Sequence, residues 1–253
     1  MPFPLAHPAA VLPLRRYCLR WLNFPALVIG SMIPDAGYFF DRLHGGTFSH
    51  GLLGSVAFCL PAGMVLVALF YRLRQPLVKM LPIPYQRALL PLCQRPPGSL
   101  RAMVISLLIG VGTHLAWDSF THTNGWCVQR LPVLDRPVVW VAGRHARVCH
   151  LLWYGCSFAG VACVFWAFEK WKQGCLNGPA GVSRKAVLRD AALAAVLVVP
   201  IELMHHLVEL SLPGLWLLAV ACGLLVMGMF LKAGHAGKDV PADPPADAGS
   251  AGP

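Results

Sequence analysis

Apolar positions along this chain come as runs, not as stripes. Residues 52–71, 102–117, 151–168, 191–208 and 212–231 form five such runs. A bilayer core takes roughly 20 apolar residues in a helix, so each run predicts a spanning helix. The second is short and would borrow length from its flanks. An earlier stretch, "WLNFPALVIGSMIPDAGYFF", is interrupted by Pro25, Pro34 and Asp35. It predicts a broken, re-entrant or interfacial helical segment, with Pro34 and Gly37 as the helix breakers. Irregular backbone at membrane depth is tolerated only when buried in protein or lining a cavity. The predicted fold class is therefore all-α: a multi-pass membrane helical bundle of about five spans with an N-terminal broken segment. The pattern lapses after residue 231. Residues 232–253 are rich in Pro, Gly and Ala and poor in apolar bulk, which predicts a disordered tail.

Composition supports a membrane protein over a large soluble core. Of the 253 residues 57% are hydrophobic and only 13% charged, and the mean hydropathy is +0.60. Ordinary globular domains are about one quarter charged. The net charge of +10 reads as topology-setting Lys and Arg. No basic run is interleaved with aromatics, so no nucleic-acid partner is expected; membrane lipids are. The loop after the first run carries Arg72, Arg74, Lys79, Arg87, Arg95 and Arg101 and no acid. By the positive-inside rule it is cytoplasmic. Loop 169–190 should then also be inside, and loop 119–150 outside. The nine cysteines form no CxxC pair and an odd count, which argues against a disulfide framework. The N-terminus has no signal-peptide pattern: four prolines interrupt it, and its basic pair follows the apolar part. Targeting would come from the spans, to a cytoplasmic membrane. Trp117, Trp126, Trp140 and Trp153 fit an aromatic interface belt. No internal repeat is evident, and the oligomeric state is not legible.

The polar positions fall at one set of helix ends. His50 precedes the first span, and His114, Asp118 and His122 close the second. His150 opens the third. Asp35 lies in the broken segment that leads to His50, and His7 sits near the N-terminus. With the orientation above, all of these lie on the outer side. Positions i, i+4 and i+8 stay near one stripe of a helix, so His114, Asp118 and His122 face one space if the helix persists that far. Imidazole and carboxylate are the ligand set of zinc and similar divalent ions. A lone interfacial His is usually a packing residue. Seven groups that converge, His7, Asp35, His50, His114, Asp118, His122 and His150, point to a metal site instead. Asp35 and Asp118 are also the candidate catalytic carboxylates, as ligand, bridge or general base. The competing reading of Asp35 is a carboxylate paired with Arg42 or capping the helix after Pro34.

The stretches "MPFPLAHPAA", "GSMIPDAGYFF", "FSHGLLG" and "HLAWDSFTH" resemble the motifs of a bacterial integral-membrane family. That family is related to the YdjM-like inner-membrane proteins, taken to be metal-dependent hydrolases. The resemblance covers roughly residues 1–170. It implies a hydrolase-like membrane domain there, with residues 171–231 as two additional transmembrane helices. It also implies a bacterial inner-membrane location. A fainter similarity is to the zinc-dependent phospholipase C fold, helical enzymes with three zinc ions. Its ligand order resembles His7, Asp35, His50, the H-x-x-x-D pair His114 and Asp118, then His122 and His150. Those enzymes carry a Glu four residues after the last His, where this chain has Tyr154. They also use a freed N-terminal amine. The resemblance therefore implies one or two metals.

The leading expectation is a zinc-type membrane hydrolase at the outer membrane–water interface, acting on a lipid or phosphodiester substrate. The alternative is a non-enzymatic membrane protein with a structural metal or an ion-carrying role. A carrier should line a path across the membrane with polar groups, whereas these gather at one face.

Overall fold

The computed structural model describes residues 4–18, 21–40, 47–141 and 144–178, with positions 183–185, 187–189 and 192. A 3-10 turn at Pro4–Ala6 leads into a short helix α1 (Pro8–Val11) and a second 3-10 turn at Leu12–Tyr17. Then come α2 (Phe24–Gly30), α3 (Ile33–Phe40), α4 (Leu52–Lys79), α5 (Ile83–Cys93) and α6 (Leu100–Thr121). Two short helices follow, α7 (Trp126–Arg130) and α8 (Pro132–Asp135). A hairpin, β1 (Pro137–Val141) and β2 (Arg144–Arg147), leads into α9 (Val148–Asn177).

The protein is largely helical, and three helices are long and apolar enough to cross a membrane. They are α4, α6 and α9, of 28, 22 and 30 residues. Even α6, at 1.5 Å per residue, is about 33 Å long, enough for the hydrocarbon core. The described residues thus hold three spans where five were expected. The other two runs, 191–208 and 212–231, and the tail 232–253 lie outside the described residues, as does Arg42. Helix α6 does borrow from its flanks. The Ser99 side chain caps it by accepting from the Ala102 N–H at 3.2 Å, and it ends at Thr121.

The described residues add detail that the run pattern does not carry. The basic loop is mostly helix: α4 runs on through Arg72 and Arg74 to Lys79, and α5 follows within four residues. The loop 119–150 contains an antiparallel hairpin, with Pro137 opposite Arg147 and Trp140 opposite His145. Its first strand, "PVVWV", is β-branched and aromatic, the composition that favours strand. Helix α9 passes through residue 170, so the boundary drawn there falls inside one element. Trp126 and Trp140 are each 62% exposed, as a belt requires, but Trp153 is buried.

The broken segment is bent as expected, though at another residue. Asn23 starts α2, its Oδ1 accepting from the Ala26 N–H at 2.9 Å. The Asn23 amide also donates to the Tyr71 hydroxyl at 2.7 Å and to the Pro97 carbonyl at 2.6 Å. This one side chain thus ties α2 to α4 and to the start of α6. Helix α2 stops at Gly30, and the Ser31 hydroxyl folds back to the Val28 carbonyl at 2.8 Å. The break lies at Ser31 and Met32. Pro34 falls in the first turn of α3, where its missing N–H costs little, and Gly37 sits within that helix.

Lipid tails are as apolar as leucine, so spans associate by close packing instead of by the hydrophobic effect. The closest approach here joins α2 to α6. A Cβ on Gly110 would lie 2.4 Å from the Leu27 carbonyl oxygen and 2.7 Å from the Ser31 nitrogen. One on Gly30 would lie 2.4 Å from the Leu107 carbonyl oxygen. Two glycines let the backbones touch, and Ala26, Val67 and Leu107 fill the space beside them. On the other flank, Gly160 of α9 seats the turn at Ala6. That contact carries the N-terminal segment, and His7 with it, into the bundle.

Candidate metal centre

The site forms where the break, the turn before α4 and the end of α6 meet. His114 and Asp118 lie one turn apart on the face of α6 that packs on α2 and α3, and both are buried. Asp35, in the first turn of α3, is 3% exposed. The bend at Ser31 and Met32 turns that carboxylate toward α6. His50 enters from the turn ahead of α4. His7 comes from the N-terminal segment, its ring stacked on His114 with centroids 3.9 Å apart.

Four ligand atoms converge. His50 Nε2 and His114 Nε2 are 3.2 Å apart. Asp35 Oδ1 is 3.5 Å from the first and 3.4 Å from the second. Asp118 Oδ2 is 3.5 Å and 3.2 Å from the same two nitrogens. One ligand atom from each of the four residues lies within 4.8 Å of the others. Five of the separations are 3.2–3.5 Å, close to those between ligands about 2.1 Å from a shared zinc ion. The side chains therefore fit a small divalent ion.

The hydrogen bonds around the cluster agree with that fit. His114 Nδ1–H donates to the Ser31 carbonyl at 2.9 Å. A carbonyl only accepts, so a neutral ring turns its Nε2 lone pair to the cluster, the usual outer arrangement of a metal-binding histidine. Ser49 Oγ lies 3.2 Å from His50 Nδ1. Among the described residues, five buried side-chain atoms make no hydrogen bond: His7 Nε2, both Asp35 oxygens, Asp118 Oδ1 and His122 Nε2. All five belong to this cluster. Buried polar atoms are rarely left this way, and a cation in the four-ligand space would engage the Asp35 carboxylate among them.

Asp118 faces two ways. Oδ2 meets His50 and His114, while Oδ1 lies 3.7 Å from His7 Nε2 and 3.8 Å from His122 Nδ1. Helix α6 does not persist to His122, which is extended at φ −116° and ψ 140°. Its Nδ1–H still reaches back to the Asp118 carbonyl at 3.1 Å, which leaves Nε2 with the lone pair. Burial, with His114 adding to it, pushes the His7 pKa down to about 4 against the opposing pull of Asp35 and Asp118, so that ring is neutral near pH 7.

Six of the seven sequence candidates thus meet here: His7, Asp35, His50, His114, Asp118 and His122. The seventh, His150, is engaged in another contact. Its Nδ1 accepts from the Arg147 N–H at 3.2 Å and caps the start of α9. Sequence reading did not single out the Ser31 carbonyl or the Ser49 hydroxyl as orienting partners. A helix break leaves carbonyls without helical partners, so the "GSMIPD" interruption was the available signal for the first. Adjacency in "FSHG" was the signal for the second.

No curated protein and no solved structure matches the chain. No homology to YdjM-like proteins or to zinc-dependent phospholipase C is shown by these comparisons. A family model does match, over residues 1–234. The chain belongs to that family, DUF4184, a domain of unknown function.

Proposed function

We propose that this protein is a zinc-type, metal-dependent hydrolase at the outer membrane–water interface of a bacterial inner membrane. Its substrate would be a lipid or another phosphodiester. The observation that carries the reading is the convergence of one ligand atom each from Asp35, His50, His114 and Asp118, all within 4.8 Å of one another. A divalent ion held there would polarise a phosphoryl or acyl oxygen and lower the pKa of a bound water. The chain's own groups would do the rest. Asp118 Oδ1, turned toward His7 and His122, is placed to take and hold a proton or to share a second ion. The second oxygen of Asp35, buried and without a hydrogen bond, is the other candidate base. His7, kept neutral by burial, is placed to ligate. The Ser31 carbonyl holds the His114 ring in the required tautomer. The basic residues at the opposite end of the bundle, Arg72, Arg74, Lys79 and Arg95, support the outer location.

Elemental analysis of detergent-purified protein tests the ligand set. Wild type should carry near-stoichiometric zinc, and the His114→Ala/Asp118→Ala double variant little or none. Asp35→Asn should accumulate normally with reduced metal. A chelator should abolish hydrolysis of bis(p-nitrophenyl) phosphate, and zinc should restore it. Equal metal in wild type and double variant would sink the site. Full metal with no chelator-sensitive hydrolysis of phosphodiester or ester probes would leave a structural ion in its place.

A further inference from the structure

Beside the cluster, on the far side of Trp117, lies an open apolar groove of about 490 Å³. One wall is the stripe Thr113, Ala116, Trp117, Phe120 and Thr121 of α6. The other is Leu152 and Cys156 of α9, with Ala10 of α1 also lining it. It exists because Ala10, Ala116 and Cys156 are small where larger side chains would fill the gap. The stripe runs about 12 Å along α6 from Thr113 to Thr121, at 1.5 Å per residue.

The walls offer almost nothing to water. Thr113 turns its hydroxyl back to the Gly110 carbonyl at 2.7 Å. Thr121 does the same to the Trp117 carbonyl at 3.4 Å. A water needs two to four polar partners to be held, so the groove suits an apolar occupant. Both walls are membrane-spanning helices, and only 28% of the α6 window and 22% of the α9 window are buried inside the protein. The apolar molecule present at that depth is a lipid chain. The groove also has a direction. Its Thr121 end adjoins His122 and lies one turn past Asp118, and the Trp117 ring meets His7 edge-on at 6.4 Å. A chain lying along it has its head beside the cluster.

We infer that the groove between α6 and α9 holds one acyl chain of a membrane glycerophospholipid and so places that lipid's headgroup linkage at the Asp/His cluster. This deepens the hydrolase reading and rests on it for the chemistry at the headgroup. Occupancy is read separately. Wild-type protein is placed in phosphatidylglycerol vesicles containing a rising fraction of the same lipid with a diazirine in one acyl chain. After irradiation, adducts are mapped by mass spectrometry. Adducts on 113–121 and 152–156 should saturate at a low probe fraction and exceed those on the exposed Val65 and Leu69 of α4 by about tenfold. Ala116→Trp should remove the saturable labelling while metal content and α4 labelling stay at wild-type levels. If that variant does not accumulate, Cys156→Phe fills the groove from the other wall. Groove labelling that only rises linearly, at the level seen on α4, would overturn the inference, and so would saturable labelling unchanged in the filled variant. Saturable labelling in a protein that binds no metal would instead sink the hydrolase reading and leave the lipid groove standing.

Discussion

Gly110→Ala should dismantle the metal site without touching a ligand. The added methyl would meet the Leu27 carbonyl oxygen at 2.4 Å and the Ser31 nitrogen at 2.7 Å, where ordinary contact begins near 3.4 Å. Both atoms are backbone, so no side chain can swing aside. Helix α2 must retreat from α6 by about 1 Å, and overpacking of this kind costs ~1–3 kcal/mol. That retreat carries the Ser31 carbonyl away from His114 Nδ1, now 2.9 Å distant, beyond hydrogen-bond range. It also moves Asp35, which follows α2 directly. Metal–ligand distances tolerate only ~0.2 Å, so the ion should go. Gly112→Ala is the control on the same helix, with nothing within 4 Å of its Cβ. There Ala should be neutral or stabilise by up to ~1 kcal/mol. The assay is divalent metal per protein by elemental analysis together with the thermal midpoint in detergent. Gly110→Ala should bind much less metal than wild type and drop by about 3–10 °C in midpoint. If both variants bind metal as wild type does and melt alike, the close approach of α2 and α6 does not position this site.

Two further predictions use other parts of the molecule. In chelator-treated protein His7 is protonated only near pH 4 when folded, against 6.5 for the free side chain. The unfolded chain takes up that proton first as pH falls. The stability present above pH 6.5 should therefore decline between 6.5 and 4, by about 3 kcal/mol. His7→Phe should flatten this segment of a midpoint-against-pH curve, and an unchanged slope would remove His7 as its source. For topology, the half-buried Cys93 lies at the basic end of the bundle, while Cys127 is buried and a poor reporter. A Gln129→Cys variant, at an exposed position of α7, should react with an impermeant maleimide in permeabilised-envelope cells while Cys93 does not. The reverse pattern would invert the orientation.

The sequence alone determined that this is a membrane helical protein, and it offered the polar residues of which four, Asp35, His50, His114 and Asp118, form one cluster able to hold a metal ion. Long apolar runs with little charge have one stable solution in a bilayer, the helix, because every backbone group must be satisfied within the segment. The four-residue step from His114 to Asp118 makes a helical pair legible in the same way. Neither needs knowledge of what packs where. What only the tertiary structure decided is how the cluster closes. The bend falls at Ser31 and Met32, next to the place where Gly30 and Gly110 let two backbones come into contact, and their facing is invisible in a one-dimensional pattern. His122 stays with Asp118 although the helix has ended, through a hydrogen bond that spacing does not foretell. His150 shares the residue type and the membrane face of the others, yet it caps α9 with its ring. The difference lies in packing: helix ends place a residue to within a turn, while a metal demands placement to a fraction of an ångström. Only the contacts among α2, α3, α6 and the N-terminal segment supply that.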